Sequence, residues 1–117
     1  MRTRVYIAGK LNDPAEQYIR NLHQMICFGI LVQEAGFSVF IPGIDVLTGL
    51  MSGKMEYDDY FSNSAAWLEV SEAIFLVPGW ERSSGSQKEV ERANLLGIPI
   101  FEQIADLVAW NNERQTK

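Results

Sequence analysis

The chain has 117 residues, of which 47% are hydrophobic and 21% are charged, and these proportions indicate a globular protein with one buried core. The net charge of -5 and the pI near 4.8 argue against a general nucleic-acid-binding surface, which requires a clustered basic face. Because Cys27 is the single cysteine, an intramolecular disulfide and a multi-cysteine zinc site are excluded.

The start of the chain leads directly into a short apolar run and lacks the longer apolar core of a signal peptide. No apolar run reaches the length of a transmembrane helix. We therefore expect a cytoplasmic protein with neither a membrane nor a nucleic-acid polymer as its partner, and we treat residues 1–117 as a single domain.

The first part of the chain predicts two strands joined by a long helix. A β-rich apolar run at 5–8 ends at Gly9, and a helical pattern from about Ala15 to Ala35 stops at Gly36. A second strand follows at 37–41. The main apolar stripe of the helix contains Tyr18, Ile19, Leu22, Met25, Ile26, Gly29 and Val32.

Three apolar residues of this helix, Cys27, Phe28 and Leu31, fall outside the stripe. They are either scattered surface hydrophobes or part of a contact between subunits. Because they are clustered, we favour the second interpretation and expect a homo-oligomer.

From residue 44 to about residue 57 the pattern is poor and glycines interrupt it, so we expect a mobile connection over the edge of the sheet. The rest of the chain predicts a helix at 58–70, a third strand at 73–77, a polar loop with a helix ending before Gly97, a fourth strand at 97–101 and a last helix at 104–114.

Strands that alternate with helices and are mostly apolar throughout indicate a parallel sheet covered on both faces. We predict an α/β fold, a small Rossmann-like or flavodoxin-like three-layer sandwich with a mainly parallel sheet of four or five strands in the order 2-1-3-4. In that order strands 1 and 3 are neighbours at the topological switch point. The loops after them, from Gly9 and from Gly79, then meet at the carboxyl edge of the sheet, where ligands bind in such folds.

The junction between the third strand and the next helix carries the most chemical interest. A helix N-terminus favours anions such as phosphate or carboxylate, because its first backbone N–H groups are unpaired. At 100° per residue, Glu89 shares a stripe with Val90, Ala93 and Leu96, so we expect its carboxylate to point inward. Such a carboxylate either caps its own helix or takes part in catalysis.

The familiar nucleotide and metal motifs are missing. No G-x-G-x-x-G follows the first strand and no G-x-x-x-x-G-K-[ST] occurs, so we expect no cofactor. His23 and Cys27 have the i, i+4 spacing of two metal ligands, but with no other His or Cys in the chain we expect no metal site and no His-dependent triad.

What remains is carboxylate chemistry assisted by hydroxyl groups. Tyr6 lies on the first strand and faces away from Val5 and Ile7, so it is either a core aromatic residue or a hydroxyl donor near the carboxyl edge. Asp45, Asp58 and Asp59 lie in or beside the poorly patterned connection, and solvated surface charge is their ordinary role.

Several short motifs resemble the nucleoside 2-deoxyribosyltransferase superfamily. They are Tyr6-Ile7-Ala8-Gly9, Gly36-Phe37 with Val39-Phe40-Ile41-Pro42, the loop from Gly79 to Glu89 with Ala93, and Gly97-Ile98-Pro99. The resemblance is strongest to small phage and bacterial members with a Gly-Trp-Glu-x-Ser loop, and it extends more distantly to the 2'-deoxynucleoside 5'-phosphate N-hydrolases.

The resemblance implies a hydrolase or transferase that acts on the N-glycosidic bond of a nucleoside or nucleoside 5'-monophosphate. In these enzymes a Glu attacks the anomeric carbon and forms a glycosyl-enzyme intermediate, and Glu89 matches that residue. Tyr6 matches an aromatic residue whose hydroxyl lies near the nucleophile. Residues Gly9, Lys10, Ser83, Gly85 and Ser86 match the ligand-binding loops, with Lys10 as a point charge for a 5'-phosphate.

One departure from the family pattern keeps a rival open. Family members commonly carry an Asp at the position of Ser64, three residues before Trp67. Without that Asp, the alternative is a non-catalytic module that binds a nucleotide-derived metabolite on the same fold. A purely structural, oligomer-forming protein is a third possibility, and it predicts no stabilisation by any such ligand.

Overall fold

The computed structural model describes residues 1–116 and is built around one parallel sheet. Its strands are β1 (Arg4–Ala8), β2 (Ser38–Phe40), β3 (Ala73–Leu76) and β4 (Ile100–Phe101), and they lie in the order β2-β1-β3-β4. The predicted α/β fold and the strand order 2-1-3-4 are thereby confirmed. The last strand is shorter than the run 97–101 suggested, because only its final two residues pair with β3.

Helices cover both faces of this sheet and complete a three-layer sandwich. The helices are α1 (Ala15–Glu34), α2 (Asp45–Ser52), α3 (Tyr57–Glu69), α4 (Ser84–Leu96) and α5 (Ile104–Gln115). One face packs against α1 and α5, through buried residues that include Met25 and Leu107, and the other packs against α3 and α4 through Leu68 and Ala93. Within residues 1–116, none of the helices combines the length and apolar character needed to cross a bilayer.

Alternation along β1 divides its side chains between the two cores. Val5 and Ile7 face α1 and α5, whereas Tyr6 and Ala8 face α3 and α4, and all four are almost completely buried. The prediction that Tyr6 lies on the opposite face from its neighbours is confirmed.

The segment after β2 is more regular than the sequence pattern indicated. A short 3-10 turn at Pro42–Ile44 leads into the eight-residue helix α2, where we had expected a mobile connection. Gly49, which reads as a helix breaker, lies where the Tyr60 hydroxyl packs against α2, and a Cβ at that position would overlap the hydroxyl. The glycine therefore permits close helix packing and does not interrupt the helix.

The prediction for the outer face of α1 was partly wrong. Phe28 packs against the core, and its ring stacks on Phe75 with 5.9 Å between the centroids. Ile19, assigned to the inner stripe, is 66% exposed. Cys27 and Leu31 do lie on the outside. The buried positions Met25, Gly29 and Val32 belong to the predicted stripe, and Phe28 follows Met25 by three residues, a spacing that places it on the same side of the helix.

Candidate functional site

A cavity of about 390 Å³ opens at the carboxyl ends of β1 and β3. These two strands are neighbours, but the chain leaves β1 toward α1 on one face and leaves β3 toward α4 on the other. A crevice between the two departing loops is the expected consequence of such a switch point. The cavity is therefore located where the topology alone places a ligand.

The loop after β3 delivers α4 to the cavity with its N-terminus exposed to it. Gly79 has a φ of +94°, a left-handed conformation that glycine adopts without strain, and it turns the chain immediately after the strand. Ser83 then caps α4, and its Oγ accepts a hydrogen bond of 3.1 Å from the backbone N–H of Ser86. The first turn of α4 is thus held at the edge of the cavity.

Helical spacing brings three of the predicted site residues onto one face of α4. Glu89 follows Ser86 by three residues and Gly85 by four, so their side chains lie one above the other. All three line the cavity, together with Ser83. Glu91 is exposed to solvent, as expected of a residue on the far side of the helix. The prediction that Glu89 points inward is confirmed.

The hydroxyl of Tyr6 donates a hydrogen bond to Oε2 of Glu89, and it joins β1 to α4 inside the cavity. Burial raises the pKa of Glu89 to about 7, and the hydrogen bond from Tyr6 acts against that rise. Burial and the Glu89 charge raise the pKa of Tyr6, whereas a hydrogen bond from Ser64 lowers it. Tyr6 therefore stays protonated at neutral pH, while Glu89 is close to the midpoint of its titration.

Ser86 contributes a hydroxyl that the fold leaves without a partner. Its side chain is 1% exposed, and within residues 1–116 its Oγ has no hydrogen-bond partner. A buried polar group of this kind costs on the order of 1–3 kcal/mol when it stays unpaired. Because Ser86 lines the cavity, a polar group of a bound ligand is well placed to complete its hydrogen bonding.

Of the two ligand-binding residues predicted in the loop after β1, Gly9 lies at the cavity and Lys10 does not. Gly9 lines the cavity, and a Cβ at this position would lie 3.0 Å from Cβ of Val77, so glycine permits close contact between the two loops. Lys10 does not line the cavity, and its ammonium group pairs with Asp13 at 3.5 Å. The structure thus brings Tyr6, Gly9, Ser83, Gly85, Ser86 and Glu89 together and leaves Lys10 beside them, engaged with a carboxylate.

Several lining residues were missed by sequence reasoning. They come mainly from α3 and α1, and they include Asn12, Tyr18, Tyr57, Tyr60 and Phe61. Ser64, noted only as a departure from the family pattern, also lines the cavity. The available signal was three aromatic residues within five positions, Tyr57, Tyr60 and Phe61, but Asp58 and Asp59 interrupt the run and weaken the pattern.

The acidic residues near α2 and α3 have structural roles or face solvent. Asp59 accepts a hydrogen bond from the backbone N–H of Glu56 and completes a capping box at the start of α3. Asp45 accepts one from the Asn63 side chain. Among residues 1–116, no three His, Cys, Asp or Glu side chains are grouped in a way that suits a metal ion.

A family model described as a domain of unknown function, DUF4406, matches residues 3–102. The chain belongs to this family. The matched region runs from the start of β1 past β4, so every residue that lines the cavity of this DUF4406 domain lies within it. No curated protein matches the chain.

Proposed function

We propose that this DUF4406 domain cleaves or transfers the N-glycosidic bond of a nucleoside or nucleoside 5'-monophosphate, with Glu89 as the nucleophile. The observation that carries the proposal is the partly buried carboxylate of Glu89, which one hydroxyl holds at the wall of a ligand-sized cavity. A volume of about 390 Å³ lies in the range of small-molecule sites. The motifs shared with the nucleoside 2-deoxyribosyltransferase superfamily support the same assignment.

The arrangement suggests which oxygen reacts. Tyr6 binds Oε2 of Glu89, so Oε1 is the oxygen available to attack C1' of the sugar. The new bond joins Oε1 to C1' while the bond from C1' to the base nitrogen breaks, and its electron pair leaves with the base, which takes a proton from water. A second nucleophile, water or another base, then attacks C1' and releases the Glu89 carboxylate. Two displacements at one carbon retain its configuration.

Tyr6 has a definite role in this scheme. A nucleophilic carboxylate has to be ionised, and burial alone favours its neutral form. The Tyr6 hydroxyl stabilises the ionised form and keeps the pKa of Glu89 near 7, where a substantial fraction is charged at neutral pH. The same hydrogen bond fixes the orientation of the carboxylate.

The first turn of α4 supplies the cradle for the sugar or its 5'-substituent. Ser83, Gly85 and Ser86 surround a helix N-terminus, which favours hydroxyl oxygens and anions. Among the described residues that line the cavity there is no lysine or arginine. A 5'-phosphate would therefore be held by N–H and hydroxyl donors, with Lys10 reaching it only after separation from Asp13.

The rival, a non-catalytic binding module, is favoured by one observation. Glu89 is the only Asp or Glu among the described residues that line the cavity, and Ser64 stands where the related enzymes commonly carry an Asp. A serine hydroxyl is a poor acid for a departing base. A binding module predicts that ligands raise the melting temperature and stay intact.

Chromatography of nucleosides and nucleoside 5'-monophosphates after incubation with the protein separates these candidates. We expect free base with the wild type and none with Glu89→Gln, which keeps the size of the side chain and removes its nucleophilic charge. Glu91→Gln, an exposed residue of the same helix, is the matched control and should retain activity. Base release that survives in Glu89→Gln would overturn the proposed role.

We also propose a cytoplasmic homo-oligomer. Cys27, Ile30 and Leu31 are exposed on the outer face of α1, where the i, i+3 and i, i+4 spacings from Cys27 place the two apolar side chains beside it. Phe28 packs against the core and is not part of this surface. Sedimentation equilibrium tests the assembly, and a monomer at all concentrations would contradict it. Replacing Leu31 with Lys should shift the distribution toward the monomer.

A further inference from the structure

The wall that α1 and α3 contribute to the cavity is rich in aromatic rings. Apart from Tyr6, it includes Tyr18, Tyr57, Tyr60 and Phe61. Tyr60 is engaged in packing, because its hydroxyl lies against α2 at Gly49, and Tyr18 is half-buried. The two remaining rings, Tyr57 and Phe61, have no comparable packing role.

Tyr57 and Phe61 form a continuous aromatic surface one helical turn apart. Their rings stack at a centroid distance of 6.3 Å and an interplanar angle of 22°. Although both line the cavity, the two residues are 50% and 40% exposed, respectively. The ammonium group of Lys88 lies 6.0 Å from the centre of the Phe61 ring and helps to fix it from the α4 side.

The Tyr57 side chain also extends toward the first turn of α4. Its hydroxyl lies 3.9 Å from the position that a Cβ on Gly85 would take. Tyr57, Gly85 and Glu89 therefore line one cavity, with the Tyr57 side chain close to the N-terminus of α4. Exposed aromatic faces at such a place are suited to a flat, apolar part of the ligand.

We propose that Tyr57, backed by Phe61, is the stacking surface for the planar base of the ligand and makes an aromatic ring system a requirement for tight binding. The proposal rests on the proposed function, because it assigns the base of the same nucleoside to one wall of the same cavity. Stacking depends on the flat face common to all bases, so this surface favours bases as a class and discriminates weakly among them.

Binding is measured in the Glu89→Gln background, so that turnover does not consume the ligand. The probes are 2'-deoxyadenosine, 2'-deoxycytidine and the base-free 2-deoxyribose 5-phosphate, titrated by calorimetry. Tyr57→Leu removes the ring and keeps an apolar side chain, whereas Tyr57→Phe keeps the ring and removes the hydroxyl. We expect Tyr57→Leu to raise the Kd of both nucleosides about tenfold or more. In Tyr57→Phe both Kd values should stay within about twofold of the parent values. Binding of 2-deoxyribose 5-phosphate should be equal in all three proteins.

Tyr57→Trp supplies an independent signal. Adding either nucleoside should quench the extra tryptophan fluorescence relative to the parent, and 2-deoxyribose 5-phosphate should not. Unchanged nucleoside affinity in Tyr57→Leu, or an equal loss in Tyr57→Phe, would overturn the stacking role. Failure of all nucleosides to bind the parent protein would overturn this proposal and the proposed function together. Nucleosides that bind through the ring at position 57 but are never cleaved by the wild type would overturn the catalytic proposal alone.

Discussion

The hydroxyl of Tyr6 donates a hydrogen bond to Oε2 of Glu89, so two residues 83 positions apart are joined where β1 and α4 meet. The contact gives a partly buried carboxylate in the cavity wall one fixed partner. It also explains how Tyr6, an aromatic side chain buried between the sheet and helices α3 and α4, can serve the chemistry of the site. The proposed role of Glu89 as a nucleophile depends on this contact more than on any other.

The pH dependence of turnover should report the ionisation of Glu89. Because the nucleophile has to be charged, we expect kcat/KM to rise with pH through about 7, the pKa that burial gives this carboxyl. Tyr6→Phe removes the hydrogen bond that lowers this pKa, so the midpoint of the pH profile should move upward. A midpoint that stays in place would show that Tyr6 does not tune Glu89.

Stability should depend on the same group. The folded-state pKa of Glu89, about 7, lies above the ordinary value of 4.5, so between these values the folded protein holds a proton that the unfolded chain releases. Stability is therefore lost as pH rises through this window. Glu89→Gln has no carboxyl group at this position and should not lose stability in this way. We expect its free energy of unfolding at pH 8 to be about 1–3 kcal/mol higher than that of the wild type.

Thermal unfolding at pH 5 and pH 8 measures that difference, and Glu91→Gln serves as the control. Because the wild type and Glu89→Gln differ only in this titrating group, the stability advantage of Glu89→Gln should be small at pH 5 and large at pH 8. An advantage that is the same at both values would mean that the pKa of Glu89 is not raised in the folded protein.

The sequence predicted those features of the site that follow from the periodicity of a helix or a strand, and it did not predict those that depend on loop conformation. Helical spacing predicted the inward direction of Glu89, and strand alternation predicted the face on which Tyr6 lies. Their assignment to one site came from the resemblance to the nucleoside 2-deoxyribosyltransferases. The position of Lys10 was not predictable from spacing, since its pairing with Asp13 depends on the conformation of a loop. Tyr57 was missed because it begins a helix whose predecessor, α2, was itself read as an irregular connection.

Gly85 should control access to the cradle. A Cβ here would lie 3.7 Å from Oγ of Ser83 and 3.9 Å from the hydroxyl of Tyr57, so Gly85→Ala fits the folded chain without strain but narrows the cavity. We expect an unchanged or slightly higher melting temperature, since alanine favours a helix, and a KM raised about tenfold. Ser84→Ala, at an exposed position outside the cavity, is the control. Equal KM values for both variants would exclude Gly85 from the ligand site.

Ser64 offers a test for gain of function. If departure of the base lacks an acid, Ser64→Asp should raise the rate of base release by about tenfold or more, because a positioned general acid contributes about 10²–10⁴ in such reactions. The effect should be greatest for bases that leave poorly. Asparagine at the same position is similar in size but is not an acid, so Ser64→Asn should give no acceleration. If both variants accelerate the reaction equally, proton transfer is not the cause.

The most direct test of Glu89 as a nucleophile is to quench a reaction with a 2'-deoxynucleoside and to quantify free base and modified protein by mass spectrometry in the same sample. We predict free base together with a deoxyribosyl group on the peptide that contains Glu89, and neither product with Glu89→Gln. Intact nucleoside with unmodified wild-type protein, for all bases tried, would contradict the claim that Glu89 is a glycosyl-accepting nucleophile.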